Sequence, residues 1–167
     1  MAIVQYLYGD TNPVITGFNG LANAIEVGDL IAQLDSSGAG AIPPIQPASA
    51  FQWTTDIATT QTNFVASFLG VSGQQRTANA NRIFGNSTDY AIRVNTTGVY
   101  EFDYDNAAPV SPGTFVGPAK ASGNALQNQL LTKVPTAVRA IGVVVENPVT
   151  PTRIKVRLLS TVTPYSK

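Results

Sequence analysis

The sequence predicts an all-β protein, a small β-barrel or β-sandwich of about eight strands with an irregular N-terminal arm and little helix. Clusters of Gly, Pro, Asn, Asp and Ser separate short apolar runs throughout the chain, as turns separate strands. The most regular runs alternate apolar and polar residues with a period of two, which is typical of strands buried on one face.

A recurring unit gives a further indication of β structure. Residues 25–34 read Ile-Glu-Val-Gly-Asp-Leu-Ile-Ala-Gln-Leu, and residues 110–119 read Val-Ser-Pro-Gly-Thr-Phe-Val-Gly-Pro-Ala. Each begins with an apolar residue and a glycine turn and continues as an apolar strand. Later in the chain each has a related partner, Phe-Leu-Gly-Val at 68–71 and Ala-Ile-Gly-Val at 140–143. Such a repeat is typical of a barrel or sandwich built from similar pieces.

Residues 89–104 carry the clearest hairpin pattern, with Asn-Thr-Thr-Gly between two alternating runs. Further strands are predicted over 137–146 and 152–162. The alternation places acidic side chains on one face of the first region and basic side chains on the outer face of the last: Glu101, Asp103, Asp105, Arg153, Lys155 and Arg157. If these strands lie side by side, the two faces form cross-strand ion pairs worth tenths of a kcal/mol each.

Helix is expected only in short pieces. The Thr-Thr-Gln-Thr run before residue 63 disfavours a long helix, so a single turn near 61–67 is predicted. Residues 124–131 form the best helical candidate, and no helix longer than about two turns is expected.

Composition argues for a structural protein and against an enzyme. Only 12% of the 167 residues are charged, with a formal net charge of zero, against about 25% in an average protein. Such a surface provides little attraction for nucleic acid or anionic lipid, and it suits a permanent position in an assembly. The chain has no Cys and no His, so Ser-His-Asp catalysis and thiolate metal sites are excluded. We expect no catalytic residues, no cofactor and no metal site.

One segment has a faint resemblance to a calcium loop. Residues 103–106 read Asp-Tyr-Asp-Asn, but the glycine and the terminal glutamate of such loops are missing. We interpret the segment as a solvated acidic face. The N-terminus lacks a signal-peptide pattern, and no apolar run approaches the roughly 18 residues of a membrane span. The sequence therefore predicts a protein made and used without crossing a membrane.

The chain divides into an N-terminal segment, 1–24, and a single β-domain, 25–167. The N-terminal segment is either the first hairpin of the domain or an arm that adds a strand to the sheet of a neighbour. Its aromatic and apolar residues are the candidates for contacts between subunits: Ile3, Tyr6, Tyr8 and Phe18.

Over residues 25–162 the chain resembles the capsid decoration, or cement, proteins of tailed bacteriophages. The resemblance rests on short apolar motifs: Ile-Glu-Val-Gly-Asp-Leu at 25–30, Phe-Leu-Gly-Val at 68–71, Gly-Val-Tyr-Glu-Phe at 98–102, Val-Gly at 116–117, Ala-Ile-Gly-Val at 140–143 and Ile-Lys-Val-Arg-Leu at 154–158. It implies a β-rich homotrimer, made in the host cytoplasm, that binds the major capsid protein on the outer surface of the phage head and braces neighbouring capsomers.

Two other functions stay open. The chain can be a β-module of a phage tail or baseplate, present in a few copies per particle. It can also be a carbohydrate-binding module that uses an exposed aromatic residue, such as Trp53 or Tyr100, as a sugar platform.

Overall fold

The computed structural model describes residues 4–8, 13–16, 18–19, 24–33, 44–52, 56–75, 92–148 and 150–161. These residues are mostly β-strand, which confirms the predicted fold class. Twelve strands lie in these ranges, more than the eight expected: β1 Gln5–Tyr8, β2 Pro13–Thr16, β3 Phe18–Asn19, β4 Leu30–Gln33, β5 Pro44–Pro47, β6 Phe68–Ser72, β7 Ile92–Asn95, β8 Val99–Tyr104, β9 Phe115–Lys120, β10 Leu126–Lys133, β11 Gly142–Val144 and β12 Arg153–Leu158.

Helix α1, Ile57–Ala66, connects β5 to β6, and 3₁₀ turns lie at Ala48–Ala50 and Ala137–Arg139. The strands form two six-stranded sheets. One has the order β1-β8-β10-β9-β11-β12, and β8 also pairs with β12, so five of its strands close into a ring. We call β8 to β12 the C-terminal barrel. Strand β1 belongs to the same sheet, where it pairs with residues 99–101 of β8, and the ring closes without it.

The second sheet has the order β2-β7-β6-β4-β5-β3. Its two end strands, β2 and β3, are separated by one residue of the chain, so this sheet also returns to the point where it begins. We call β2 to β7 the N-terminal barrel. Together β2 and β3 occupy the position that the single longer strand β8 occupies in the C-terminal barrel.

The two barrels pair their strands in the same register. In the N-terminal barrel Ile31 of β4 faces Gly70 of β6. In the C-terminal barrel Val116 of β9 faces Gly142 of β11. The next pairs correspond as well, since Ser72 faces Val94 as Val144 faces Val156. The repeat in the sequence thus marks two structurally equivalent barrels.

The glycine turns of the repeat have equivalent hydrogen bonds. Gly28 and Gly113 have positive φ angles of 94° and 87°, which glycine adopts without strain. The Gly28 N–H donates to the Ser72 carbonyl at 2.8 Å, and the Gly113 N–H donates to the Val144 carbonyl at 2.8 Å. Each turn therefore ties the start of one strand to the end of its antiparallel partner.

Each barrel has an aliphatic interior, and a shared core joins the two. The interior of the N-terminal barrel is one cluster of Ile25, Ile31, Ile45, Leu69, Ile92 and Val94. At the matching positions of the C-terminal barrel, Val110 packs against a larger cluster, and the other five residues belong to it: Val116, Leu131, Ile141, Ile154 and Val156. That cluster also includes Leu30, Phe64 and Phe68 from the N-terminal half. The two barrels are therefore packed against each other through apolar side chains.

The predicted hairpin at 89–104 is wrong in its pairing, although strands β7 and β8 do form there. Strand β7 pairs with β2 and β6, and β8 pairs with β1, β10 and β12. Gly98, with φ 119°, lies at the corner between them, and its carbonyl accepts from the Leu158 N–H at 3.1 Å. The short link therefore joins two barrels, because each of its strands pairs within its own sheet.

Both helix predictions need correction. Helix α1 has ten residues, nearly three turns, because Asp56 caps its first turn and Phe64 buries against the shared core. The expected helix at 124–131 is strand β10, which pairs with β9 and β8. Its local helix propensity is overridden because the extended chain pairs with two strands and buries Leu126 and Leu131 in the core.

The N-terminal residues pair within the same chain. Strand β1 lies antiparallel to β8, with Gln5 facing Glu101 and Tyr6 facing Tyr100. Strand β2 lies antiparallel to β7. Because β1 and β2 belong to different sheets, they do not form a hairpin with each other.

Candidate binding surface

Two of the four predicted contact residues lie exposed on β1. Tyr6 is 43% exposed and Tyr8 is 51% exposed, which is unusual for large side chains with an apolar body. Phe18 lies in β3, where its backbone faces Pro44, but its side chain is outside the described residues. Ile3 is also outside them. The structure therefore brings Tyr6 and Tyr8 together on one strand.

The Tyr6 ring rests on the barrel through an aromatic contact. It meets the Tyr100 ring edge-on, with centroids 5.5 Å apart and an angle of 62°. Gly98 makes room for this contact, because a Cβ there would lie 3.0 Å from the Tyr100 ring and 3.2 Å from the Tyr6 ring. Tyr6 is thus held in a defined orientation while much of its ring stays accessible.

Tyr100 does not serve as an exposed platform. It is 2% exposed, and burial raises the pKa of its hydroxyl to about 12. The prediction that Tyr100 presents its ring to a sugar is therefore wrong, because the β8 pleat turns it inward. Trp53, the other aromatic residue of that prediction, lies outside the described residues.

A ladder of charged residues lies beside β1 on the outer face of β8 and β12. Arg153 Nε is 2.6 Å from Glu101 Oε1 and 3.8 Å from Asp103 Oδ1. Lys155 forms an ion pair with Glu146, and its hydrogen bond to that carboxylate raises the pKa of Lys155. The expected cross-strand ion pairs are confirmed for Arg153 with Glu101 and Asp103, whereas Lys155 pairs with Glu146, which is outside the predicted acidic face.

The acidic segment 103–106 includes the last two residues of β8 and the start of the loop that follows it. The Asp105 carboxylate accepts from the Ala107 N–H at 3.0 Å, and Asn106 adopts a positive φ of 53°. Across the described parts of the chain, no three acidic side chains gather closely enough to hold a metal ion.

A polar cluster joins the two barrels at a position that sequence reasoning missed. Asp29, 2% exposed, accepts from Gln129 Nε2 at 2.8 Å and from Asn128 Nδ2 at 3.3 Å. It also accepts from the Glu26 N–H at 2.9 Å. Burial raises the pKa of Asp29, and the hydrogen bonds from the Glu26 N–H and from Gln129 oppose part of this shift. Sequence spacing carried no signal for this cluster, because its members lie about 100 residues apart.

The two side-chain amides from β10, Asn128 and Gln129, make Asp29 a link between the barrels. A shallow cleft lies next to it, between the turn before β4 and strand β10, and Glu26 and Asn128 line it. Since the carboxylate oxygens already accept from groups of the protein, we assign the cluster a structural role.

A comparison with protein-family models, curated proteins and solved structures finds no match to this chain. The fold itself defines the class: a protein of two equivalent β-barrels with an added strand that displays tyrosines. In the part of the chain that the structure describes, no helix is both long and apolar enough to cross a membrane.

Proposed function

We propose that this protein is a capsid decoration (cement) protein, which binds the outer surface of a phage head and stabilises contacts between capsomers. Its partner is the major capsid protein, and it acts as a homotrimer. The observation that carries the proposal is strand β1, whose exposed tyrosines lie on the outside of a barrel that is closed without it. An added strand with exposed aromatics is suited to docking and contributes nothing to ring closure.

The rest of the molecule supports a bracing role. Two barrels with a shared core form a stiff body, because apolar clusters resist deformation once closely packed. A stiff body that binds only the assembled shell stabilises that state by mass action. Trimerisation increases the total affinity, because three linked contacts must release together. The low charge permits dense packing of copies with little mutual repulsion.

The first test is the copy number per purified particle, relative to the major capsid protein. A decoration protein is expected at one copy, or a simple fraction such as one third, per capsid subunit. A few copies per particle would instead support the tail or baseplate module. Absence from particles would reject both, and a glycan array would then test the carbohydrate-binding alternative.

A double substitution tests the role of the tyrosines. We expect Tyr6→Ala with Tyr8→Ala to weaken binding to empty heads at least tenfold, measured by co-sedimentation. Val138 provides a matched control, because it is 64% exposed on the turn at Ala137–Arg139. Val138→Ala should bind like the unchanged protein. Equal binding by all three proteins, with circular dichroism unchanged, would rule out β1 as the contact surface.

A further inference from the structure

Strand β1 pairs with the C-terminal barrel but is not needed to close it. The ring β8-β10-β9-β11-β12 closes through the pairing of β12 with β8. The equivalent N-terminal barrel has no counterpart of β1 among its described strands. Because one barrel has this strand and the described part of the equivalent barrel does not, we treat β1 as an addition to the barrel fold.

The strand edge to which β1 binds is found on β8 and differs from the equivalent edge of the N-terminal barrel. Val99 of β8 faces Tyr8 of β1 and also faces Arg157 of β12. In the N-terminal barrel the residue equivalent to Val99 is Pro13, which faces Asn95 of β7. Proline has no N–H to donate to an added strand. The chain therefore contains one edge suited to this strand and one that lacks a donor at the matching position.

The side chains of β1 are mostly exposed. Among the described elements it packs chiefly against β8, and Gln5, Tyr6 and Tyr8 are all largely exposed. Val4, just before the strand, is buried against Gly28, where an added Cβ would lie 2.7 Å from the Val4 Cβ. Strand β1 is also uncharged, so the β1 strands of two identical chains do not repel each other electrostatically.

We propose that the N-terminal strand is exchanged between copies, so that residues 4–8 of one chain lie on β8 of a second copy. The contacts are the same in both arrangements, so local concentration decides between them. The inference rests on the proposed function in one respect: close packing on a capsid shell supplies the high local protein concentration that favours exchange. The exchange links neighbouring copies through a strand that the barrel does not need.

The absence of cysteine from the chain allows a direct test. Gln5 faces Glu101, and facing Cα atoms of antiparallel strands lie about 4.5–5.5 Å apart, within the range of a disulfide. A tagged Gln5→Cys protein is mixed with untagged Glu101→Cys protein at high concentration, equilibrated and oxidised. Because each protein in this mixture has a single cysteine, no disulfide can form within one chain. A Gln5→Cys and Val138→Cys mixture gives the level of random collision.

Exchange predicts a tagged–untagged heterodimer on non-reducing gels, at least fivefold above the collision control and increasing with protein concentration. A heterodimer no more abundant than the control would overturn the proposal. The experiment uses the purified protein alone. A negative result therefore rejects exchange and leaves the capsid function to be judged by copy number.

Discussion

At the scale of single residues, two equivalent glycines are fixed by close approach of the neighbouring strand. A Cβ at Gly70 would lie 2.1 Å from the Asn95 carbonyl oxygen. A Cβ at Gly142 would lie 2.4 Å from Val156 Cγ1 and 2.5 Å from the Arg157 carbonyl oxygen. The repeated Leu/Ile-Gly-Val motif therefore exists because both barrels bring another strand across this position.

We expect Gly142→Ala to lower the free energy of unfolding by about 2–3 kcal/mol, because backbone must move to admit the methyl group. Gly123→Ala is the matched control. Gly123 has a φ of 82°, but nothing lies within 4 Å of a Cβ there. That variant should lose only about 1 kcal/mol to backbone strain. Urea denaturation measures both, and equal losses would contradict the close-approach explanation.

Asp29 gives the stability a specific pH dependence. Its pKa in the folded protein is raised above the ordinary value of 3.8, because burial disfavours the charged carboxylate. Its contribution to stability is therefore fully present below pH 3.8 and is lost as the pH rises through the folded pKa.

We expect the unfolding free energy of the unchanged protein, minus that of Asp29→Asn, to fall with increasing pH and then level off. Urea denaturation from below pH 3.8 to neutrality measures this difference. Thr62→Ala, which changes no ionisable group, is the control and should give a difference that does not vary with pH. A difference that increases with pH would show that the hydrogen bonds to Asp29 outweigh its burial.

At the scale of elements, helix α1 is attached to the C-terminal barrel through one buried side chain. Gln61, 1% exposed, donates from Nε2 to the Pro118 carbonyl at 2.8 Å. Its Oε1 accepts from Arg139 at 2.6 Å and 3.0 Å. The helix of the N-terminal half therefore contacts both β9 and the turn before β11.

We expect Gln61→Leu to lower the unfolding free energy by about 2–3 kcal/mol, because the Pro118 carbonyl and the Arg139 guanidinium lose their partner. Thr62→Ala on the same helix is the control. Its hydroxyl donates only to the Ala58 carbonyl, so a change within about 0.5 kcal/mol is expected. Thermal or urea unfolding distinguishes the two, and a similar loss in both would show that Gln61 does not join the barrels.

Several elements were predictable from local pattern, and others were not. Residues 99–104 and 153–158 form strands as their alternation predicts. The helix predicted at 124–131 is wrong: Ala, Leu and Gln favour helix there locally, but residues 126–133 form strand β10. Pairing with β9 and β8 supplies a longer-range stabilisation that local propensity does not include.

At the scale of the whole molecule, the shared core predicts that both barrels unfold together. Phe64 and Phe68 of the N-terminal half lie in one cluster with Phe102 and Val116 of the C-terminal half. Phe64 is fully buried, and its ring meets Phe51 at 5.1 Å and Phe68 at 5.8 Å. Loss of one barrel would expose this cluster to water.

We expect a single unfolding transition, coincident by Trp53 fluorescence and far-UV circular dichroism. Phe64→Ala should lower the unfolding free energy by about 3–5 kcal/mol and keep the transition single. Val138→Ala, on the exposed turn, should change it by less than about 0.5 kcal/mol. Two separate transitions in the unchanged protein would show that the barrels are independent domains.

The sequence alone determined the β class, the glycine-turn repeat and the alternating charged faces, because period and turn chemistry are local properties. It also identified Tyr6 and Tyr8 as candidates, and both lie exposed on β1. Tertiary structure decided which strands pair, that residues 92–104 divide between two barrels, and that Asp29 joins them. Those outcomes depend on residues as far as 100 positions apart, whose contact is selected by the burial of the whole core.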